Sequence, residues 1–139
     1  MKKSISTTIF SLLIATAYSQ NQTQTEGQTP MFAVIYQTYL KPGKEAEYQQ
    51  HWRKIATYFV EQRGAIGSCL HRTPEGMWVA YSRWPSKALR DASWPGDNAA
   101  SVELSEDIRA TIAAIKECGD PDRRIPEICL EVVDDLLLK

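Results

Sequence analysis

The chain predicts an α+β fold of order β-α-β-β-α-β, and three observations predict it. Met31–Lys41 is a run of β-branched and aromatic side chains that Pro42-Gly43 stops. From Lys44 onward the apolar spacing changes to that of a helix. Two short alternating segments then flank the turn Thr73-Pro74-Glu75-Gly76, as in a hairpin.

The first strand, Met31–Lys41, carries Phe32, Val34 and Tyr36 on one face and Ala33 and Ile35 on the other. Apolar residues on both faces suit a central strand covered on both sides. In the helix Gly43–Arg63, the residues Tyr48, Trp52, Ile55 and Phe59 recur at i, i+4, i+7 and i+11, which is one helical stripe. Burying each contributes roughly 1.5–3 kcal/mol, so the stripe is core, with Trp52 its one candidate for a pocket wall. Gly64 ends the helix as a left-handed cap. Ala65–Arg72 is a second strand. Met77–Trp84 is a third, alternating Trp78, Ala80, Ser82 and Trp84 against Met77, Val79, Tyr81 and Arg83. Pro85 suits the first turn of a helix over Ser86–Ser93, so Gly76–Ala92 reads as a strand running into a helix with Trp84 at the junction. Trp94-Pro95-Gly96-Asp97 breaks the chain. A further helix follows over Ala99–Glu117, with Leu104, Ile108, Ile112 and Ile115 on one face, and Gly119 and Pro121 terminate it. The last strand is expected over Ile125–Leu136.

Residues 1–30 are unlike the rest. Lys2 and Lys3 precede an apolar run around Ile9–Ala17, and Ala17-Tyr18-Ser19 supplies small residues where a signal peptidase cleaves. Gln20–Thr29 is a polar linker. The competing reading takes Met31 as the true start and the upstream peptide as an extension called in error. A start at Met1 slightly favours export, to a periplasm for instance, and a start at Met31 implies the cytoplasm. Residues 31–139 have the length of one domain.

The net charge of −1, with no Lys/Arg cluster, argues against a nucleic-acid partner. No segment is long and apolar enough to span a bilayer, so no membrane partner is expected. The three cysteines form no C-x-x-C pair, which removes zinc and thioredoxin-like readings, and no metal is expected. Cys69 and Cys129 are expected as small core residues on strands. Cys118 falls at a helix C-terminus, where the dipole disfavours a thiolate.

The predicted order is that of a ferredoxin-like half, with helices on one side of its sheet. An apolar second side needs cover, and a second copy packed sheet against sheet supplies it, giving a dimeric α+β barrel. A homodimer is therefore expected.

Three stretches carry a family resemblance. They are Lys41-Pro42-Gly43-Lys44-Glu45-Ala46-Glu47-Tyr48, then Arg63-Gly64-Ala65-Ile66-Gly67-Ser68-Cys69-Leu70-His71-Arg72, and Trp78-Val79-Ala80-Tyr81-Ser82-Arg83-Trp84-Pro85-Ser86-Lys87-Ala88-Leu89. With these, residues 31–139 resemble the antibiotic-biosynthesis-monooxygenase (ABM) family. The resemblance implies a dimeric α+β barrel with a pocket between sheet and helices, and places Trp84 as the tryptophan that lines it. Some members are cofactor-free oxygenases of polycyclic phenols and some degrade haem. Oxygenase members often carry an Asn four residues before that tryptophan, where Ala80 stands here, and a His in the next helix, where Ala92, Ser93 and Trp94 stand. Haem degraders need an Asn near Tyr36 or Gln37 and a later axial His, and no His follows His71.

Oxygenation without a cofactor needs a substrate that can lose a proton, a donor that stabilises the anion, and a dry cavity. The candidate catalytic residues are Tyr36, Gln37, His71 and Arg83. Tyr36 or Gln37 would orient a substrate hydroxyl, Arg83 would stabilise a phenolate or enolate, and His71 would act as base. The plainer readings are a surface strand position for Arg83 and an exposed strand end for His71. Glu47 and His51 stand four apart on the helix, and two such groups on a solvated face do not make a metal site. Trp52, Trp78, Trp84 and Tyr81 are the candidate substrate-binding walls, since aromatic walls with few polar groups suit planar ligands. The resulting expectation is a cofactor-independent monooxygenase acting on a hydrophobic, phenol- or quinone-like small molecule. The alternatives are a binding or scavenging protein using the same pocket without catalysis, and a purely structural dimer whose pocket its own side chains fill.

Overall fold

A computed structural model of the protein describes residues 29–94 and 103–137. The expected leader, most of the linker, and residues 99–102 of the expected third helix lie outside them. The described elements are β1 (Phe32–Leu40), α1 (Glu45–Arg63), β2 (Gly67–Arg72), β3 (Trp78–Trp84), α2 (Lys87–Ser93), α3 (Glu106–Cys118), β4 (Gly119–Arg124) and β5 (Ile128–Glu131). They form one antiparallel sheet in the order β2-β3-β1-β4, with β5 also on β1. This is the ferredoxin-like α+β arrangement, left as an open sheet.

Two element boundaries need correction. The strand expected over Ile125–Leu136 is the shorter β5, Ile128–Glu131, and a further strand, β4, precedes it where Gly119 and Pro121 were expected only to end the helix. β4 pairs with the end of β1 (Thr38 opposite Arg124, Leu40 opposite Gly119), and β5 pairs with its beginning (Phe32 opposite Glu131, Ile35 opposite Ile128). Pro126 stands between them; without an N–H it cannot continue a ladder. The helix α3 begins at Glu106 rather than near Ala99, because Ser105 is extended and its hydroxyl accepts the Ile108 N–H at 3.3 Å. Glu106 and Asp107 then occupy the first turn, where the helix dipole favours negative charge.

The β1–β3 register is regular, from Phe32 opposite Trp84 to Thr38 opposite Trp78. The helices therefore cover the side carrying Phe32, Val34, Tyr36, Ser82 and Trp84. The main core joins Phe32, Val34 and Trp84 to Ile55, Phe59, Ile108 and Ile112. A second cluster, Tyr48, Trp78 and Cys118, closes the other end. Gly64 caps α1 at φ 79° and donates its N–H to the Phe59 carbonyl.

The opposite side carries Ile35, Val79, Tyr81, Ile128 and Leu130, and among the described residues no helix covers it. That is why Cys69, paired with Tyr81 on this side, is exposed rather than core. Cys129 is exposed as well, on the edge strand β5. Cys118 is fully buried, and burial pushes its thiol pKa up. No helix among the described residues is long and apolar enough to cross a membrane.

Candidate active site

A cavity of about 670 Å³ lies between the helix-covered side of the sheet and α1. Its floor comes from alternate positions of β1 and β3, Tyr36 and Thr38 beside Ala80, Ser82 and Trp84. One wall is the α1 stripe, where Tyr48, Ile55 and Phe59 are buried while Trp52 is only half-buried.

One end of the cavity is aromatic. Phe59 packs edge-on against Trp84 at 5.7 Å and tilted against Trp94 at 5.4 Å, and Trp94 in turn meets Tyr36 at 5.9 Å. These rings stand at 51–65° to one another and give a rigid, apolar lining. The other end is charged, with Lys41, Lys116, Glu117, Asp120 and Arg124 at its margin.

Tyr36 is one polar group of the aromatic end, beside Ser82 and the buried Nε1 of Trp84, which has no hydrogen-bond partner among the described residues. The Tyr36 hydroxyl oxygen accepts a hydrogen bond from Arg90 Nη2 at 3.1 Å. The same Nη2 donates to Glu127 Oε2 at 2.5 Å, and Arg90 Nη1 donates to Asp91 Oδ1 at 3.2 Å. Arg90 is 7% exposed, and its charge at that depth is held by the two carboxylates. Burial pushes the Tyr36 pKa up to about 12, against the opposing pull of Arg90, so the phenol is neutral at physiological pH.

The predicted residues separate into three groups. Tyr36, Gln37, Trp52 and Trp84 all line the cavity. Gln37 sits opposite Val79, on the uncovered strand face, so it borders the cavity by position rather than by alternation. Trp78 shares the Trp84 face but packs edge-on against Tyr48 at 5.6 Å, in the second cluster. Tyr81, His71 and Arg83 belong to the uncovered side. His71 is exposed, with Nδ1 3.3 Å from the Val79 carbonyl oxygen. Arg83 is neither a surface residue nor in the cavity lining; it is buried, and its Nη2 donates to Asp135 of the C-terminal segment. His51 Nε2 lies 3.7 Å from Glu47 on α1. Among the described residues, no group of three His, Cys, Asp or Glu could hold a metal ion.

Sequence reasoning missed Arg90, Glu127 and Trp94. Arg90 stands in a short helix, and its partner Tyr36 is 54 residues away, so spacing carried no signal. Trp94 was read as part of a chain break.

Residues 31–92 match the family model described as antibiotic biosynthesis monooxygenase. No curated protein matches significantly. Solved structures with a similar fold include Rv0793 from Mycobacterium tuberculosis, 18% identical, covering 76% of this chain and 98% of that one at a TM-score of 0.58. SnoaB, a cofactor-independent oxygenase from Streptomyces nogalater, is 13% identical over 78% of this chain and 99% of its own, also at 0.58. A conserved protein from Methanosarcina mazei is 13% identical over 75% and 94%, at 0.56. At these identities the likeness is one of fold.

Proposed function

We propose that this chain, whose residues 31–92 match the antibiotic biosynthesis monooxygenase family model, is a cofactor-independent monooxygenase of a hydrophobic, phenol- or quinone-like aromatic molecule, working as a homodimer. The observation that carries the reading is the cavity itself, large enough for a planar ligand, walled by Trp84, Phe59 and Trp94, with the neutral Tyr36 phenol in its lining. In this reading the substrate supplies all four electrons that dioxygen takes up. It loses two hydrogens, one atom of dioxygen stays on it as a carbonyl oxygen, and the other atom leaves with the two hydrogens as water. The protein excludes water, stacks the ring and supplies a hydrogen bond to the oxygen on which negative charge builds. A phenol with its pKa near 12 is suited to donate that bond and unsuited to take the proton.

The dimer rests on the uncovered side of the sheet. Ile128 and Leu130 are exposed there at 43% and 37%, and beyond β5 the C-terminal segment carries Val133, Leu136 and Leu137 at 93%, 86% and 78%. Large apolar side chains this exposed mark a surface that a second copy would cover.

One observation favours the rival reading, a binding or scavenging protein. The floor position four residues before Trp84 is Ala80, a methyl group with no hydrogen bond to offer. Oxygen uptake with a panel of phenols and hydroquinones, without added cofactor, decides between them. Uptake that rises with protein concentration supports the oxygenase. Binding without uptake across the panel overturns it in favour of the binding protein.

A further inference from the structure

Arg90 is buried, charged and absent from the cavity lining, yet it is bonded to a residue that lines the cavity. Both hydrogens on its Nη2 are committed, one to Tyr36 Oη and one to Glu127 Oε2. A guanidinium donates and never accepts, so the Tyr36 oxygen is the acceptor in this contact. The Tyr36 O–H is then left to donate elsewhere, and among the described residues it has no acceptor. Three distant segments build this arrangement: β1, α2 and the link between β4 and β5. Rotating the guanidinium would break both bonds at once, and Trp94 packs on the tyrosine ring at 5.9 Å.

We propose that Arg90, anchored by Glu127, is a positioning residue that fixes Tyr36 as an obligate hydrogen-bond donor, so that the cavity selects planar ligands presenting an acceptor oxygen at its aromatic end. The proposal rests on the cavity being a ligand site. It adds the sign of the recognition: carbonyl and quinone oxygens are favoured, and hydrocarbons of the same shape are not. A site with a committed donor discriminates against ligands that leave that donor unpaired.

The test compares two probes of one shape, menadione and its parent hydrocarbon methylnaphthalene, by equilibrium dialysis against the whole chain. The wild type is expected to bind menadione roughly five- to tenfold more tightly. Tyr36→Phe and Arg90→Leu each bring the ratio to about one, from the loss of that one hydrogen bond, while methylnaphthalene affinity holds. The hydrocarbon thus reports an intact cavity, which a merely structural role for Arg90 would not spare. Should Arg90→Leu fail to fold, Glu127→Gln, which weakens the anchor and keeps the guanidinium, is expected to lower the ratio. Equal affinities in the wild type, or a preference that survives Tyr36→Phe or the Arg90 and Glu127 variants, overturn the proposal and leave the cavity reading standing. Failure of the wild type to bind either probe overturns both.

Discussion

At the scale of single residues, the site depends on how burial treats polar groups. Tyr36 and Tyr48 both have their pKa pushed up to about 12, chiefly because burial disfavours the phenolate. The linkage sign follows. Between pH 10 and 12 the unfolded chain releases these protons while the folded chain keeps them, so their stabilisation is complete below pH 10 and declines as pH rises toward 12. Urea midpoints measured over that range are expected to fall more steeply for the wild type than for Tyr48→Phe; parallel curves would refute this. Tyr36 could be picked out in the sequence because a tyrosine on a central strand facing the helices has few places to go. Its partner Arg90 could not, since a buried ion pair between segments far apart leaves no local pattern. Arg83 shows the same limit from the other direction. Strand alternation places it on the side away from the helices, but it is buried there and paired with Asp135, which no local rule connects to it.

At the scale of elements, periodicity found whatever had a face to bury. The α1 stripe, the hairpin strands and the apolar face of α3 were readable because each repeats core residues at a fixed spacing. β4 was not, because Gly119-Asp120-Pro121-Asp122-Arg123-Arg124 has no apolar alternation; it is a polar edge strand held by the end of β1. The α3 start was misplaced for a related reason: residues before Ser105 continue the composition of the helix, and only the cap marks the boundary. The α1 end was readable from one residue. Gly64 has φ 79°, and a Cβ there would lie 3.2 Å from Leu89 Cδ2. Gly64→Ala combines left-handed strain with that close approach and is expected to cost about 1–2 kcal/mol, measured by urea unfolding. A variant as stable as the wild type would mean that the cap can relax.

For the whole molecule, the sheet has one side that is finished and one that is not. The finished side holds the core and the cavity. The other presents Ile35, Val79, Tyr81, Ile128 and Leu130, followed by an apolar C-terminal segment. Light scattering is expected to give the mass of two chains, and Tyr81→Lys, which places a charge at the centre of that side, to give the mass of one. A wild-type mass of one chain would remove the dimer and leave the cavity untouched. The sequence could reveal an unfinished side because strand alternation exposes apolar residues on both faces of β1. It could not reveal which aromatic residues meet in the cavity, since Phe59, Trp84 and Trp94 converge from separate elements. The most direct test of the central claim, oxygenation with the substrate as sole electron donor, is turnover of a hydroquinone or phenol under isotopically labelled dioxygen, followed by mass spectrometry of the product. The account predicts a product carrying one labelled oxygen atom and an equal amount of labelled water, with no added cofactor. A bound but unchanged ligand, or a product whose new oxygen comes from solvent, would contradict it.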